Sequence, residues 1–397
     1  MAFLMLVALF FNQYGKLYHI RKLTLNNKVV KLDTREQILP YIIAINNLPL
    51  LEEISFAGSS LGIWAAYALA DALRAKTKLR RADFSNCFSG RLSAELAPAV
   101  DALVSALLEL PALEAISFAD NAFGPDVQAP LARLVQSHTP LQELDISNIG
   151  LGPEAGIPFA RALRNLAGAK ARAGAAPLRT LLCSRNRLVQ DDDAVLFGMA
   201  EWAAALAAHP QLRTVALGTN GLRREGMDVI VSQGLARVHG LEVLDLQDNL
   251  ITARGRTHTA LAKAVAGWPD LRVLDVNDSI LGSRGAALLV AALADVKDSK
   301  LEVLKLVGNN INGANTAALA SAFERLPSLR EVELNMNNIP EDDAGYEALK
   351  RLLQERGSKR NIKTSLDDLE DPDYSQPSQP TPPGSQTGSP RAGAMSP

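Results

Sequence analysis

Aromatic rings, cysteine and histidine are scarce in this chain. Phe, Trp and Tyr make up 5% of its 397 residues, and there are two cysteines and five histidines. With an apolar fraction of 47%, so few large rings exclude a core built on aromatics and favour many small Leu, Ala and Val interfaces. Cys87 and Cys183 lie far apart, which gives neither a disulfide framework nor metal-ligand spacing, so a reducing compartment is the default. No Ser/His/Asp or Cys/His arrangement can be assembled for nucleophilic catalysis, and His138 reads as surface or core filler rather than a base. A Gly-rich GxxxxGK loop is also missing, so the chain itself is not expected to bind GTP. Neither sign of charge dominates: 41 Lys and Arg face 43 Asp and Glu, for a net charge of -2. Without a basic stripe interleaved with aromatics, nucleic acid is excluded and a protein partner is indicated.

Long hydrophobic runs are limited to residues 1–11, MAFLMLVALFF. The run has the length of a signal-peptide apolar region but no basic flank or small-residue cleavage site, and it is short of the ~20 residues that cross a bilayer. Secretion is the minority reading; an extra N-terminal packing segment and a wrongly chosen start codon are the other two. The acidic triplet Asp191, Asp192 and Asp193 lacks metal-ligand spacing and reads as a solvated loop.

What is present is a repeat. The pattern L-x-x-L-x-L-x-x-N-x-L occurs in ten registers, opening at Leu51, Leu79, Leu113, Leu141, Leu178, Leu212, Leu241, Leu271, Leu301 and Leu329, with spacings of 28 to 37 residues. That period is the long form of the leucine-rich repeat, each unit a short strand followed by a helix. In residues 241–268, Leu244 and Leu246 alternate with Asp245 and Gln247, as a strand buried on one face requires. Leu261, Val265 and Trp268 then recur at helical spacing. The fold class is therefore α/β, a leucine-rich-repeat solenoid or horseshoe with parallel concave strands and convex helices, stabilised unit by unit. The longer units carry insertions at CFSGRLSAEL, AGAKARAGAAP and VQDDDAVLFG, which emerge as rim loops.

The expected organisation is an apolar segment over 1–16, an N-terminal cap over 17–50, ten repeats over 51–340, a capping helix over 341–357 and a disordered tail over 358–397. Within the first cap, HIRKLTLNNKVVKLD reads as two alternating strands joined as a hairpin across Asn26 and Asn27. The capping helix opens with acids and carries a polar outer face. The tail is rich in Ser, Pro and Gln and cannot offset its ordering entropy; its Ser-Pro and Thr-Pro pairs are weak phosphorylation signals.

The consensus asparagine is present as Asn121, Asn186, Asn220, Asn249, Asn309 and Asn337, where an amide can satisfy main-chain groups of the turn. Ser59, Cys87, Ile149 and Ser279 replace it elsewhere. At Ile149 a buried main-chain group left unsatisfied would cost about 1–3 kcal/mol unless Asn148 or a water compensates.

Three stretches exceed a generic repeat: FSNCFSGRL (84–92), SFADNAFGPDVQAPL (117–131) and LDISNIGLGPEAG (144–156), supported by LCSRNRL (182–188) and VLDLQDN (243–249). On these the chain resembles the Ran GTPase-activating protein family over roughly residues 20–356. The resemblance implies a protein that binds the small GTPase Ran in its GTP form along the rim of strand-to-helix loops, with a Ran-binding protein as a further partner it allows. It implies stimulation of hydrolysis in trans with no inserted arginine finger, an asparagine helping to fix the Gln of Ran that orients the attacking water. GTP and magnesium would belong to Ran, so no cofactor and no membrane contact are expected, and the location would be cytoplasmic or at the nuclear envelope, in support of nucleocytoplasmic transport.

Carried over by position, the FSGR arginine is Arg91, with a binding or loop-ordering role. The matching rim strings supply Asp120, Asn121, Arg185, Asn186 and Asp248 as partner-binding residues. The family's asparagine falls at Ile149, preceded by Asn148, which is the candidate stimulating residue. Three outcomes stand open: Asn148 substitutes, activity is reduced, or the chain is a non-catalytic repeat scaffold that binds without activating.

Overall fold

The computed structural model describes residues 19–25, 30–189, 195–252, 256–340 and 342–360. Eleven short strands form one parallel sheet whose order follows the chain. Ten of them start two residues after a register leucine, from Glu53–Ser55 after Leu51 to Glu331–Glu333 after Leu329. The middle residue of each triplet is buried, and in most strands both neighbours are partly or fully exposed, as with Leu144 between Glu143 and Asp145. A helical segment follows each strand and packs on those of adjacent units, giving the α/β horseshoe solenoid that the periodicity indicates. Alanines such as Ala65, Ala66, Ala70, Ala160 and Ala162 are buried between these segments and let them approach closely. No described helix is long and apolar enough to cross a membrane.

The expected N-terminal hairpin is not formed. Strand Lys22–Thr24 adds in parallel to Glu53–Ser55, and Lys31–Leu32 pairs in parallel with Ser60–Leu61 in a separate two-stranded sheet. Asn26 and Asn27, the expected turn, lie outside the described residues. The reason is that residues 21–24 bond as a repeat does: the Arg21 carbonyl accepts from the N–H groups of Glu52 and Glu53, just as the Glu52 carbonyl accepts from Arg80 and Arg81. Helix α1 (Arg35–Asn46) follows, opened by a capping box between Thr34 and Gln37, and packs on α2 (Ile63–Arg74). At the other end a helix runs over Ala344–Arg360, starting where the Asp343 carboxylate accepts the Tyr346 N–H at 2.8 Å.

Asparagine amides stitch the strand-to-helix turns. The Asn186 carbonyl oxygen accepts from the N–H groups of Ile149 (3.1 Å) and Leu151 (3.4 Å) in the preceding unit, and its Nδ2 donates to the Ile146 carbonyl (2.8 Å). Asn249, Asn309 and Asn337 take the equivalent N–H groups of Leu222, Leu281 and Ile311. Where the amide is missing, main chain replaces it: the carbonyls of Cys87, Ile149 and Ser279 accept from Leu61, Phe123 and Ile251. Ile149 therefore leaves the Phe123 N–H partnered, and the compensation comes from its own backbone rather than from Asn148, whose side chain points elsewhere.

The opposite rim, where helices return to strands, is closed by donors reaching back one unit. Lys76 donates to the Leu48 carbonyl, Trp268 to Val238, and Lys170 to Thr139 and, within its own insertion, Ala176. His138 and His209 bond through Nε2 to the carbonyls of Leu113 and Leu163 at 2.7 and 2.9 Å, so His138 is a buried fastener rather than a base. Arg356 does the same for the last repeat, donating to Phe323, Glu324, Leu326 and Leu329. Apart from Leu163, which lies within the helix Gly152–Ala173, these are carbonyls of helix ends and of the turns after them.

Two outcomes follow. Asn186→Ala orphans the Ile149 and Leu151 N–H groups and the Ile146 carbonyl, and is expected to cost on the order of 2–3 kcal/mol in urea unfolding. Burial lowers the pKa of His138 and His209 below the usual imidazole value. Unfolded chain then binds more protons than folded chain as pH drops below about 6.5, so stability present above that pH is lost on acidification. The urea midpoint should be lower at pH 5.5 than at pH 7.5, and the difference should shrink in a His138→Gln, His209→Gln variant.

Candidate functional site

The residue before each consensus position adopts a left-handed backbone in all ten repeats: Gly58, Asn86, Asp120, Asn148, Arg185, Thr219, Asp248, Asp278, Gly308 and Met336. Gly adopts this conformation freely and Asn and Asp tolerate it, and together they occupy seven of these positions. Each N–H in the column from Gly58 to Gly308 bonds to a carbonyl of the next repeat, for example Asn148 to Ser184 at 2.8 Å. The turn thus sends this side chain off the rim and the following one into the solenoid.

That geometry divides the sequence candidates. Asn121 and Asn186 have no exposed surface, and their amides are spent on backbone. Their expected partner-binding role is corrected: both hold the fold. Asp120, Asn148, Arg185 and Asp248 are exposed on the rim. Three of them meet. Asp120 Oδ1 accepts from Asn148 Nδ2 and from Arg185 Nη2, both at 2.9 Å, across three successive repeats. Ser89 extends the group, bonding to Asn86 Oδ1 at 2.7 Å and to the Asp120 carbonyl at 3.3 Å. Asp248 stands on the same rim two units beyond Arg185.

An open trough of about 640 Å³ lies along this group, lined by Ser89, Asp120, Asn148, Gly150, Arg185 and Arg187 among others. The exposed Arg185–Asp120 pair contributes little stability, on the order of 0–1 kcal/mol, so its effect is to orient. With Nδ2 donating to Asp120, the amide of the exposed Asn148 keeps its Oδ1 as an acceptor. Asn86, Ser89 and Arg187 were not singled out from the sequence. The signal available for Asn86 was its place immediately before a consensus position, in the column shared with Asp120 and Asn148.

Arg91 is not on this surface. Its side chain is 9% exposed, and it bonds to Asp33 Oδ1 (2.5 Å) and the Ser60 carbonyl (2.9 Å). Its guanidinium holds the Asp33 carboxyl below the usual pKa. Gly62 leaves room for the clamp, since a Cβ there would sit 2.9 Å from Asp33 Cα and 3.3 Å from Arg91 Nη1. Of the two roles expected for Arg91, loop ordering fits this geometry and partner contact does not.

No group of His, Cys, Asp and Glu among the described residues is placed to hold a metal ion. Asp191, Asp192 and Asp193, and the tail beyond residue 360, lie outside them. Both cysteines are buried, with Cys87 donating to the Phe56 carbonyl at 3.0 Å, and burial pushes the Cys183 thiol up to about 12. The rim can therefore hold and orient a polar group of another molecule.

Comparison with known proteins finds similar chains. Ran GTPase-activating protein 1 of Saccharomyces cerevisiae is 31% identical over 335 residues, covering 82% of this chain and 80% of that protein. The Ran GTPase-activating protein of Drosophila melanogaster is 32% identical over 212 residues, 52% of this chain and 35% of that one. Ran GTPase-activating protein 1 of Xenopus laevis is 34% identical over 175 residues, 43% and 30% respectively. A solved internalin from Listeria monocytogenes overlays with a TM-score of 0.46 at 16% identity, covering 92% of this chain and 93% of that chain. No family model matches the chain.

The clamp yields a prediction. Arg91→Ala is expected to cost about 2 kcal/mol by leaving the Ser60 carbonyl without its side-chain donor and Asp33 with Lys31 alone. Faster hydrogen exchange at the Ser60 and Gly62 amides, which bond to Val30 and Leu32, would report the loosening. Arg91→Lys should restore less than half of the protection, because one ammonium cannot reproduce the forked contact.

Proposed function

The chain belongs to the Ran GTPase-activating protein family, and from that premise we propose that its rim binds Ran in the GTP form and accelerates Ran's hydrolysis of its own nucleotide. The observation that carries the reading is the Asp120–Asn148–Arg185 group, which holds an asparagine amide rigidly at the partner-facing edge of three repeats.

Asn148 is the residue we assign to stimulation. Consensus-position amides in this chain point inward: Asn121, Asn186, Asn220 and Asn309 are fully buried and Asn249 is 4% exposed. Ile149, at the same position, is 2% exposed and packs in the core. An asparagine there would serve the fold, whereas Asn148 faces outward. Its free Oδ1 can accept from the side-chain amide of the Gln that positions the attacking water in Ran, lowering the cost of fixing that Gln for in-line attack. Arg185, Asp248 and Arg187 would contact the partner around it. Ran supplies the nucleotide and the magnesium, and a Ran-binding protein could share the complex. Acting on the cytosolic side, at the nuclear envelope or free, such an activator would support nucleocytoplasmic transport.

A second reading is a repeat scaffold that binds Ran and no longer activates. It is favoured by Ile149 occupying the position expected for the family's asparagine.

Single-turnover hydrolysis by GTP-loaded Ran, with and without the chain, separates the two. Acceleration is expected. Asn148→Ala should lower the stimulated rate by about 10²-fold with binding retained, and Asp120→Ala should lower it less, by releasing the amide. Ile149→Asn should leave the rate within about threefold. No acceleration by excess chain removes the activator reading, and binding without acceleration selects the scaffold. If Asn148→Ala leaves the rate unchanged while Ile149→Asn raises it, the assignment of Asn148 is wrong.

A further inference from the structure

We propose that Ile280 and Met336 form a second, apolar contact edge for the GTPase partner, on the rim that carries the Asp120–Asn148–Arg185 group. The inference rests on the Ran-binding reading above and extends it to the far half of that rim. Among the described residues twelve non-glycine positions hold a left-handed backbone, and ten of these are polar. The two apolar ones are Ile280, at φ +53°, and Met336, at φ +54°. A β-branched side chain crowds the backbone most in this conformation, so Ile280 is the less tolerable of the pair. Burial does not compensate either of them, since Ile280 is 49% and Met336 70% exposed. Both keep an unfavourable backbone without filling the core, and a surface laid over them would offset the strain.

The occupant follows from position, reach and charge. Ile280 comes directly after a consensus position, as do Gly150, Arg187 and Gly221, which are also left-handed and line the trough. Met336 belongs to the column of Asp120, Asn148 and Arg185, directly before the consensus position. The apolar edge therefore continues the two columns that build the trough. At about 4.8 Å per strand, Ile280 lies five strands or roughly 24 Å along the sheet from Asp120, and Met336 seven strands or roughly 34 Å. A standard interface of about 800 Å² on one partner is a patch about 32 Å across. One globular partner seated on the trough thus reaches Ile280 and, at its margin, Met336. Asp248 and Asp278 stand exposed on the same rim, so the matching surface carries an apolar side chain flanked by a base.

The test measures equilibrium binding of the full chain to Ran loaded with a non-hydrolysable GTP analogue, beside the urea midpoint of the chain alone. Ile280→Asn relieves the strain, because Asn tolerates a left-handed backbone, and removes the apolar contact. Its urea midpoint is expected to equal or exceed that of the parent chain, while its Kd for Ran rises about tenfold. Met336→Asn should raise Kd about threefold, and the two changes together about thirtyfold. Leu288→Asn, at an exposed apolar position on the convex helix Gly282–Ala294, should leave Kd within about twofold. Equal binding by the parent chain and Ile280→Asn, or equal weakening by Leu288→Asn, overturns the apolar edge and leaves the Ran-binding reading standing. No binding by the parent chain removes both. A lower urea midpoint for Ile280→Asn means that Ile280 serves the fold and rejects the strain argument. A dimer of the parent chain that Ile280→Asn dissociates assigns the edge to a second copy and likewise overturns the proposal.

Discussion

Closure of the turn after each strand by the next repeat is the constraint on which the rest of this structure depends. A three-residue strand buries too little to hold its own register, and the turn behind it leaves N–H groups facing the interior. An unpaired buried N–H costs about 1–3 kcal/mol, and ten turns left open would exceed the stability of an ordinary domain. The chain closes them with amides where it has asparagine and with the carbonyls of Cys87, Ile149 and Ser279 where it does not. Backbone can stand in because the parallel stacking already places that carbonyl one strand spacing from the N–H it must meet.

The far rim solves the complementary problem with different chemistry. Helix ends and the turns after them present carbonyls, so donors are needed there, and lysine, histidine, tryptophan and arginine side chains from the following unit supply them. Burial makes these fasteners conditional on pH: Lys170 is pushed down to about 8 and both histidines are lowered. The buried turn closures of the strand-to-helix rim have no such dependence, since amides and backbone do not titrate.

Much of the fold was legible because its period is carried by leucines that must be buried. All ten register leucines sit two residues ahead of a strand, so the spacing alone fixed the sheet order. The N-terminal strands were misjudged because alternation identifies a strand without naming its partner. Lys22–Thr24 satisfies the same pattern in a hairpin or in a parallel stack, and the open edge of Glu53–Ser55 decided the matter. The candidate site was legible only in its place along the rim: the sequence strings contain Asp120, Asn148 and Arg185, which meet there, but equally Asn121 and Asn186, because no composition or period states which of two adjacent residues turns inward. Arg91 was ambiguous for a related reason: its partner Asp33 lies 58 residues earlier, in a segment that the repeat pattern does not cover.

The left-handed position resolves that ambiguity physically and explains why the site lies where it does. The turn requires a backbone conformation at this residue and leaves its side chain outside the core. Asp120, Asn148 and Arg185 can thus differ in charge and size while their N–H groups make the same bond to the next repeat. The inward neighbour has no such freedom, since its side chain or its carbonyl must meet buried N–H groups. The column is limited to residues that tolerate the left-handed backbone, but it does not ask the side chain to fill the core, and Asp120, Asn148 and Arg185 in successive repeats come within hydrogen-bond reach of one another. A stack of identical turns is in that sense already a binding edge, and residue choice along the column determines what it binds.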